Sequence, residues 1–413
     1  MNLSVTHYSG DRMGGAARAA LRIHAALRQQ SAIDSNMIVV ERPNDDSSIS
    51  ALDTGLLGQL RGIFKSTVES IPWRLATPRD NMPRSAGWAS RLMAKEINSH
   101  HSDIAHLHWI NGAFLSVEEI GKITKPLVWT LHDMWPFCGA EHLAPDTPEA
   151  RWRNGYQPTP DLPDFDIDRW VWKRKSSSWL KPINLVTPSR WLADCVRQST
   201  LMQRFPVSII PNPLNTDIYK PMNKYHAREL LNLPINQKLV LFGAIKGTML
   251  NYKGWDLLMP ALEVIYDNFP NADAVIFGQS QPNDPPAIRT RVHWMGHLHD
   301  DFTLAALYSA ADVLIVPSRQ ESFGQTGSEA QACGCPVVAF NSTGLRDVVD
   351  HGVTGYLVKP FDAYELALAA LNVINNSDIS LAFSLEARKR AINLWSYSVV
   401  SEKYNDLYSQ IIA

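Results

Sequence analysis

The chain has 413 residues, of which 45% are hydrophobic and 19% charged, with a formal net charge of −2. That length exceeds one comfortable hydrophobic core and predicts two domains, and the composition excludes a disordered or fibrous chain. The charge balance excludes a protein devoted to nucleic acid, and no run approaches the roughly 18 apolar residues that span a bilayer.

The first predicted strand, residues 3–7, begins almost at Met1, which leaves no room for a secretory signal and points to a cytoplasmic location. It runs into Ser9-Gly10-Asp11-Arg12-Met13-Gly14-Gly15, followed by an alanine-rich helix. Gly14 and Gly15 let the backbone approach a ligand closely, and the helix start offers N–H groups to a phosphate or sugar oxygen. A tight strand-to-helix turn would use the same residues, and the spacing is not that of the dinucleotide fingerprint. Strands are predicted at 36–40, 104–108, 127–131, 185–187 and 207–210, alternating with helical stretches, which is the pattern of a parallel α/β sheet. His132 and Asp133 stand at the end of the 127–131 strand, where open α/β sheets gather ligand-binding groups; Asp133 equally suits a turn cap.

Two stretches, 43–90 and 139–180, lack this rhythm and are too long for simple connections, so they are expected to be functional loops or lids. Within the second, residues 168–181 carry five cations, one acid and three tryptophans. That composition suits a membrane interface, and it also suits a charged helix that packs its tryptophans inward. The four cysteines, Cys138, Cys195, Cys333 and Cys335, lack zinc-site or disulfide spacing and read as ordinary buried thiols.

Pro211, Pro213 and Pro221 disfavour continuous secondary structure and mark a domain junction. Beyond it, strands are predicted at 239–242, 274–277, 292–295, 313–316, 337–340 and 356–358, a second Rossmann-like half. The domains are therefore placed at 1–210 and 217–393, with 394–413 a terminal helix in which Trp395, Val399, Tyr404 and Leu407 are available for packing. A glycine-containing loop, 243–254, carries Lys246 and Lys253 ahead of a helix start, and Gly278 closes the 274–277 strand. The strand at 313–316 leads through Pro317 into a segment with Glu321 in a loop and Glu329 about two turns into a helix. Two carboxylates at such a junction suit a polyhydroxylated, anionic ligand, because ionised carboxylates are strong acceptors for pairs of hydroxyls.

The run from Glu321 to Glu329, with its continuation Gly334-Cys335-Pro336-Val337-Val338 and Gly355-Tyr356-Leu357-Val358, resembles the signature of retaining GT-B glycosyltransferases of family 4 (glycosyl transferases group 1). The likeness extends to bacterial surface-polysaccharide enzymes of the colanic-acid type. The resemblance implies an α/β GT-B fold, two Rossmann-like domains whose parallel sheets face a central cleft. The first domain would stand on the acceptor side, the second would bind a nucleotide-sugar, and the terminal helix would cross back to the first. It implies transfer of a hexose from a UDP- or GDP-sugar without metal or cofactor, onto a glycan or lipid-linked glycan, with peripheral contact at the inner membrane surface. It further implies that His132 positions the donor sugar, Glu321 holds its hydroxyls, Glu329 holds the ribose and Lys253 clamps the diphosphate. Gly14, Gly15, Gly278 and the backbone of Phe323, Gly324 and Gln325 would complete the donor site, with 295–297 near the base. The family's arginine after the first glycine of the second-domain loop is replaced here by Ala244, and Lys246 is the candidate substitute, as a point charge without a guanidinium's fork. Other readings of the same architecture are a nucleotide-sugar epimerase and a noncatalytic binding subunit; no convincing acid/base set for epimerisation is evident.

Overall fold

In a computed structural model, which describes residues 3–11, 14–30, 32–41, 46–52, 55–76, 82–158, 165–243, 245, 247, 249–285 and 287–413, the β-branched runs build two all-parallel sheets. The first contains β1 (Ser4–Ser9), β2 (Asp34–Val39), β3 (Ile49–Ala51), β4 (Ile104–Leu107), β5 (Leu127–Thr130), β6 (Asn184–Thr187) and β7 (Val207–Ile209), in the order β3-β2-β1-β4-β5-β6-β7. The second contains β8 (Lys238–Gly243), β9 (Ala272–Phe277), β10 (Val292–Trp294), β11 (Val313–Val316), β12 (Val337–Phe340) and β13 (Gly355–Val358), in the order β10-β9-β8-β11-β12-β13. β4, β5, β9, β11 and β12 are buried along their whole length, as expected of strands covered by helices on both faces.

The chain divides into two compact units, 1–213 with 400–413, and 214–399. In each sheet the strand order reverses once, between β1 and β4 and between β8 and β11, and ligands of open α/β sheets bind beyond the carboxyl ends at such reversals. In the first unit those ends carry Gly10, His108 and, one strand over, His132. In the second they carry the 243–254 loop and the 317–324 segment.

Several elements differ from expectation. The 43–90 stretch is not a plain loop: it supplies the edge strand β3 and a helix, Gly55–Glu69. A three-residue strand is too short to show alternation, and the apolar residues of the helix face outward, with Leu56, Leu60, Ile63 and Phe64 at 54–73% exposure. Its anchors are the buried Gly62 and Glu69, the carboxylate of Glu69 accepting the N–H groups of Gly87, Trp88 and Ala89 at 2.7–2.8 Å. The 168–181 cluster follows the second of its two readings, lying mostly within a helix, Ile167–Ser178, that packs its tryptophans against the core. Lys175 is fully buried, 3.5 Å from the centre of the Trp135 ring, and its ammonium donates to the carbonyls of Trp135, Cys138 and Gly139. Trp179 is buried beside it and donates to Val117 O at 2.9 Å.

At the C-terminus one helix ends at Trp395 and another, Tyr397–Ile412, begins after Ser396. Trp395 packs in the core of the second unit, whereas Val400, Tyr404 and Tyr408 pack against Val5, Ile104, Val128 and Val186 in the first. The last helix buries Val400, Ser401, Tyr404 and Tyr408, with Leu407 partly buried against the same core, whereas Val399 is half-buried and gives its expected place to Val400. All four cysteines are free and buried. Among the described residues no single helix is long and apolar enough to cross a membrane.

Candidate active site

In the second unit, Lys253 and Glu321 come together. The Lys253 ammonium donates to Glu321 Oε1 at 2.7 Å, both side chains partly buried. Burial alone would pull the Lys253 pKa down, but the charge and hydrogen bond of Glu321 outweigh it and leave the pKa raised. Lys253 ends a short 3-10 turn, Asn251–Lys253, and Gly254 follows at φ 74° as the cap of the Trp255–Asn268 helix. A Cβ at Gly254 would stand 1.9 Å from Pro317 O, so only glycine lets this turn lie against the strand end that leads to Glu321. Arg319 ties the same two segments, pairing with Asp256 at 2.6–2.8 Å and donating to Asn251 O at 2.7 Å. Glu321 is held by its own backbone, its N–H reaching Thr343 Oγ1 at 3.1 Å and its carbonyl accepting from Gly344 N at 2.9 Å.

The helix after Glu321 spans Gln325–Ala332, so Glu329 lies about one turn in, not two. Gly324, at φ 103°, caps it, and the N–H groups of Phe323 and Gly324 donate to no described residue. They are the unpaired donors that a helix start aims at an anion. The Phe323 side chain turns into the core against Trp395. Glu329 is only 2% exposed and accepts a 2.8 Å hydrogen bond from Tyr308, a residue that carries no chemical signal in the sequence. Gly278 closes β9 at φ 89° and donates to Gly296 O at 2.8 Å, which joins it to the 295–297 segment. Lys246 lies outside the described residues.

In the first unit, Asp11 caps the Gly15–Gln30 helix: its carboxylate accepts the N–H of Gly14 at 3.1 Å and of Ala17 at 2.9 Å. This end of the helix therefore already holds a carboxylate, and Gly14 and Gly15 shape the turn around it. His132 is half-buried after β5; burial lowers its pKa to about 4, against the pull of Asp133 and Asp11, so the ring is neutral. Asp133 is a bracket, accepting from His142 Nδ1 at 2.6 Å, Trp109 Nε1 at 3.1 Å and Trp135 N at 2.9 Å. Burial would raise its pKa, but His142 and the hydrogen bonds hold it below the usual carboxylate value.

Asp-x-Asp spacings occur at Asp164/Asp166 and Asp166/Asp168; Asp164 lies outside the described residues, and the other two carboxylates are engaged within the fold. Asp166 caps the Ile167–Ser178 helix and pairs with Arg151, and Asp168 pairs with Arg84 at 3.2 Å.

Residues 13–218 match the family described as Glycosyltransferase Family 4, and residues 236–376 match Glycosyl transferases group 1. The chain is 25% identical to the D-inositol 3-phosphate glycosyltransferase of Corynebacterium glutamicum (strain R) over 75% of this chain and 73% of that one. It is 28% identical to the enzyme of the same name from Mycolicibacterium smegmatis, over 85% and 78%. Among solved structures, sucrose-phosphate synthase from Thermosynechococcus elongatus superposes with a TM-score of 0.68 at 20% identity over 99% of both chains. WaaG, a glycosyltransferase involved in lipopolysaccharide biosynthesis, superposes at 0.62 with 16% identity over 98% and 99%. With the two family matches covering most of the chain and the two parallel sheets matching these GT-B structures, this protein belongs to the family 4, group 1 glycosyltransferases and is an enzyme of glycosyl transfer.

Proposed function

We propose that the enzyme transfers a hexose from a UDP- or GDP-sugar with retention of anomeric configuration and without a metal, and that its acceptor is a lipid-linked or growing surface glycan. The observation that carries the donor reading is the Lys253–Glu321 pair set beside the open N–H groups of Phe323 and Gly324. A nucleotide-sugar needs a carboxylate for sugar hydroxyls and fixed positive charge for a diphosphate whose charge grows as it departs. Charge held at the departing oxygens stabilises the transition state more than the ground state, which is the work a metal would otherwise do. In the reaction the bond from the anomeric carbon to the diphosphate oxygen breaks. The acceptor oxygen bonds to that carbon on the same face, and its proton passes to the departing diphosphate. His132 would orient the sugar, and Glu329 would hold the ribose hydroxyls.

The lipid-linked acceptor is supported by the Gly55–Glu69 helix, whose outward Leu56, Leu60, Ile63 and Phe64 lie with Arg61 and Lys65 on the acceptor-side unit. Apolar side chains interleaved with cations suit an anionic membrane surface, and on this reading the protein works at the cytoplasmic face. The names of the inositol-phosphate relatives favour a second reading, a soluble phosphorylated polyol as acceptor.

Thermal stabilisation by free nucleotides and nucleotide-sugars, with NAD as control, selects the donor. Incubating that donor with lipid-linked glycan or with inositol phosphate, and reading the anomeric proton of the product, then tests transfer and stereochemistry. An inverted anomer would sink the retaining mechanism, and stabilisation by NAD alone would sink the donor reading.

A further inference from the structure

Behind His132 the first unit holds a row of histidines to which the reaction above gives no part. His132 Nε2 lies 3.2 Å from His108 Nδ1, and His108 Nε2 lies 2.9 Å from His7 Nδ1. His108 and His7 are buried, and the row ends at His7 Nε2, which is sealed in the core with no hydrogen-bond partner among the described residues. At the other end, His132 Nδ1 has no partner among the described residues, on a ring that is only half-buried. The neighbouring rings are spoken for. His106 bonds Tyr408 Oη at 2.6 Å and Thr130 Oγ1 at 2.7 Å, and His24 bonds Ser35 and Ser48.

Burial keeps all three rings of the row neutral, so each carries one N–H, and each nitrogen pair shares one hydrogen. Only two arrangements satisfy this. In the inward one, His132 Nε2–H donates to His108, His108 Nε2–H donates to His7, and His7 is left with an N–H buried against no acceptor. In the outward one, His7 Nδ1–H donates to His108 Nε2, and His108 Nδ1–H donates to His132 Nε2. The hydrogen of His132 then sits on Nδ1, and the core contains only a bare lone pair. An orphaned buried N–H is the rarer and costlier defect.

We infer that the His7–His108 row, sealed at its inner end, locks His132 in the Nδ1–H tautomer, so that it meets the substrate as a hydrogen-bond donor and not as a base. This rests on the placement of His132 at the donor sugar proposed above. The lone pair of His132 is spent on His108, and the sealed end offers no route by which a proton could enter to reverse the row. His108 and His7 are then positioning residues that act through His132. A rival use of these rings is metal binding, since nitrogens of His7, His106 and His108 lie within 4.8 Å of one another. Five of those six ring nitrogens are already hydrogen-bonded, and a metal would have to displace partners the fold supplies.

The test is a long-range ¹H–¹⁵N spectrum of the full chain, labelled with ¹⁵N-histidine and free of nucleotide, with His132 assigned by difference from His132→Asn. A protonated Nδ1 and bare Nε2 on His132 at neutral pH are expected; the reverse tautomer overturns the inference. Stoichiometric zinc uptake that collapses the His7 and His108 signals also overturns it. Kinetics give an independent readout: His132→Asn keeps an amide donor near the Nδ1 position but has no basic nitrogen, and should stay within about tenfold of wild type, whereas His132→Ala should lose about a hundredfold. Equal losses in the two variants count against the donor role. Because the spectrum needs no nucleotide, a wrong tautomer leaves the transfer reading standing, and failure to respond to UDP or GDP compounds leaves the tautomer standing.

Discussion

The two units solve opposite electrostatic problems. In the second, buried and half-buried groups are held in their charged forms: Glu321 raises the Lys253 pKa against burial, and Lys224, the Leu239 N–H and Arg228 lower that of Asp312 against burial. In the first, burial wins. It pushes His7, His106, His108 and Lys175 well below their usual values and pushes Glu141 up, whereas Asp133, Glu118 and Arg151 are held in their charged forms by His142, Arg174 and Asp166. On the donor-site reading proposed above, the unit assigned the departing diphosphate keeps fixed charge ready, whereas the unit assigned the sugar hydroxyls works with neutral, directional donors. The comparison assigns different failures to equivalent mutations in the two halves.

The largest effect is expected from Lys253→Ala, a fall in kcat of about a hundredfold or more, since on the donor-site reading proposed above the charge it removes acts chiefly on the leaving group. A rise in KM with kcat unchanged would show that Lys253 holds donor and transition state alike, and would break the contrast. Glu321→Gln sharpens it. With the carboxylate gone, burial pulls the Lys253 pKa down, so the alkaline limb of the pH–rate profile should move to lower pH, with a loss of about tenfold to a hundredfold at neutral pH. An unmoved alkaline limb would mean that Lys253 is not the group that titrates there.

The parts of this division that were legible in the sequence are those written in local residue types. Parallel strands announced themselves as β-branched runs, and the Glu321–Glu329 spacing with Gly324 between them marked a loop-to-helix junction that the structure has. The Gly55–Glu69 helix was not legible, because its apolar residues face outward and periodicity cannot report a face with nothing packed on it. Nor was the inward turn of Lys175: only three carbonyls converging from Trp135, Cys138 and Gly139, distant in sequence, make its burial tolerable. Tyr308 and the histidine row were missed for the same reason. His7 lies in β1, His106 in β4, and His108 and His132 just beyond the ends of β4 and β5, and strand order is decided by the whole chain.

Tyr308→Phe should remove the hydroxyl that donates a hydrogen bond to the buried Glu329 carboxylate. A loss of about 1–3 kcal/mol in urea unfolding is expected, together with weaker nucleotide binding. Unchanged stability would indicate that water reaches Glu329 and that this carboxylate is less interior than its neighbours.

The smallest effect probes the neutral interior of the first unit. Glu141 is buried, accepts from Tyr156 Oη at 2.9 Å, and has its pKa raised first by burial and then by Asp168. A carboxyl whose folded pKa is raised keeps a proton that the unfolded chain has already shed. Stability therefore falls as pH rises from the ordinary glutamate range toward the folded pKa. Glu141→Gln preserves an acceptor for Tyr156 and cannot ionise, so the variant should match wild type near pH 5 and exceed it by about 1–2 kcal/mol at pH 8. Denaturant midpoints for both proteins across that range decide the matter. Parallel curves would mean that Glu141 is already charged in the fold, and that the first unit carries fixed interior charge as the second does.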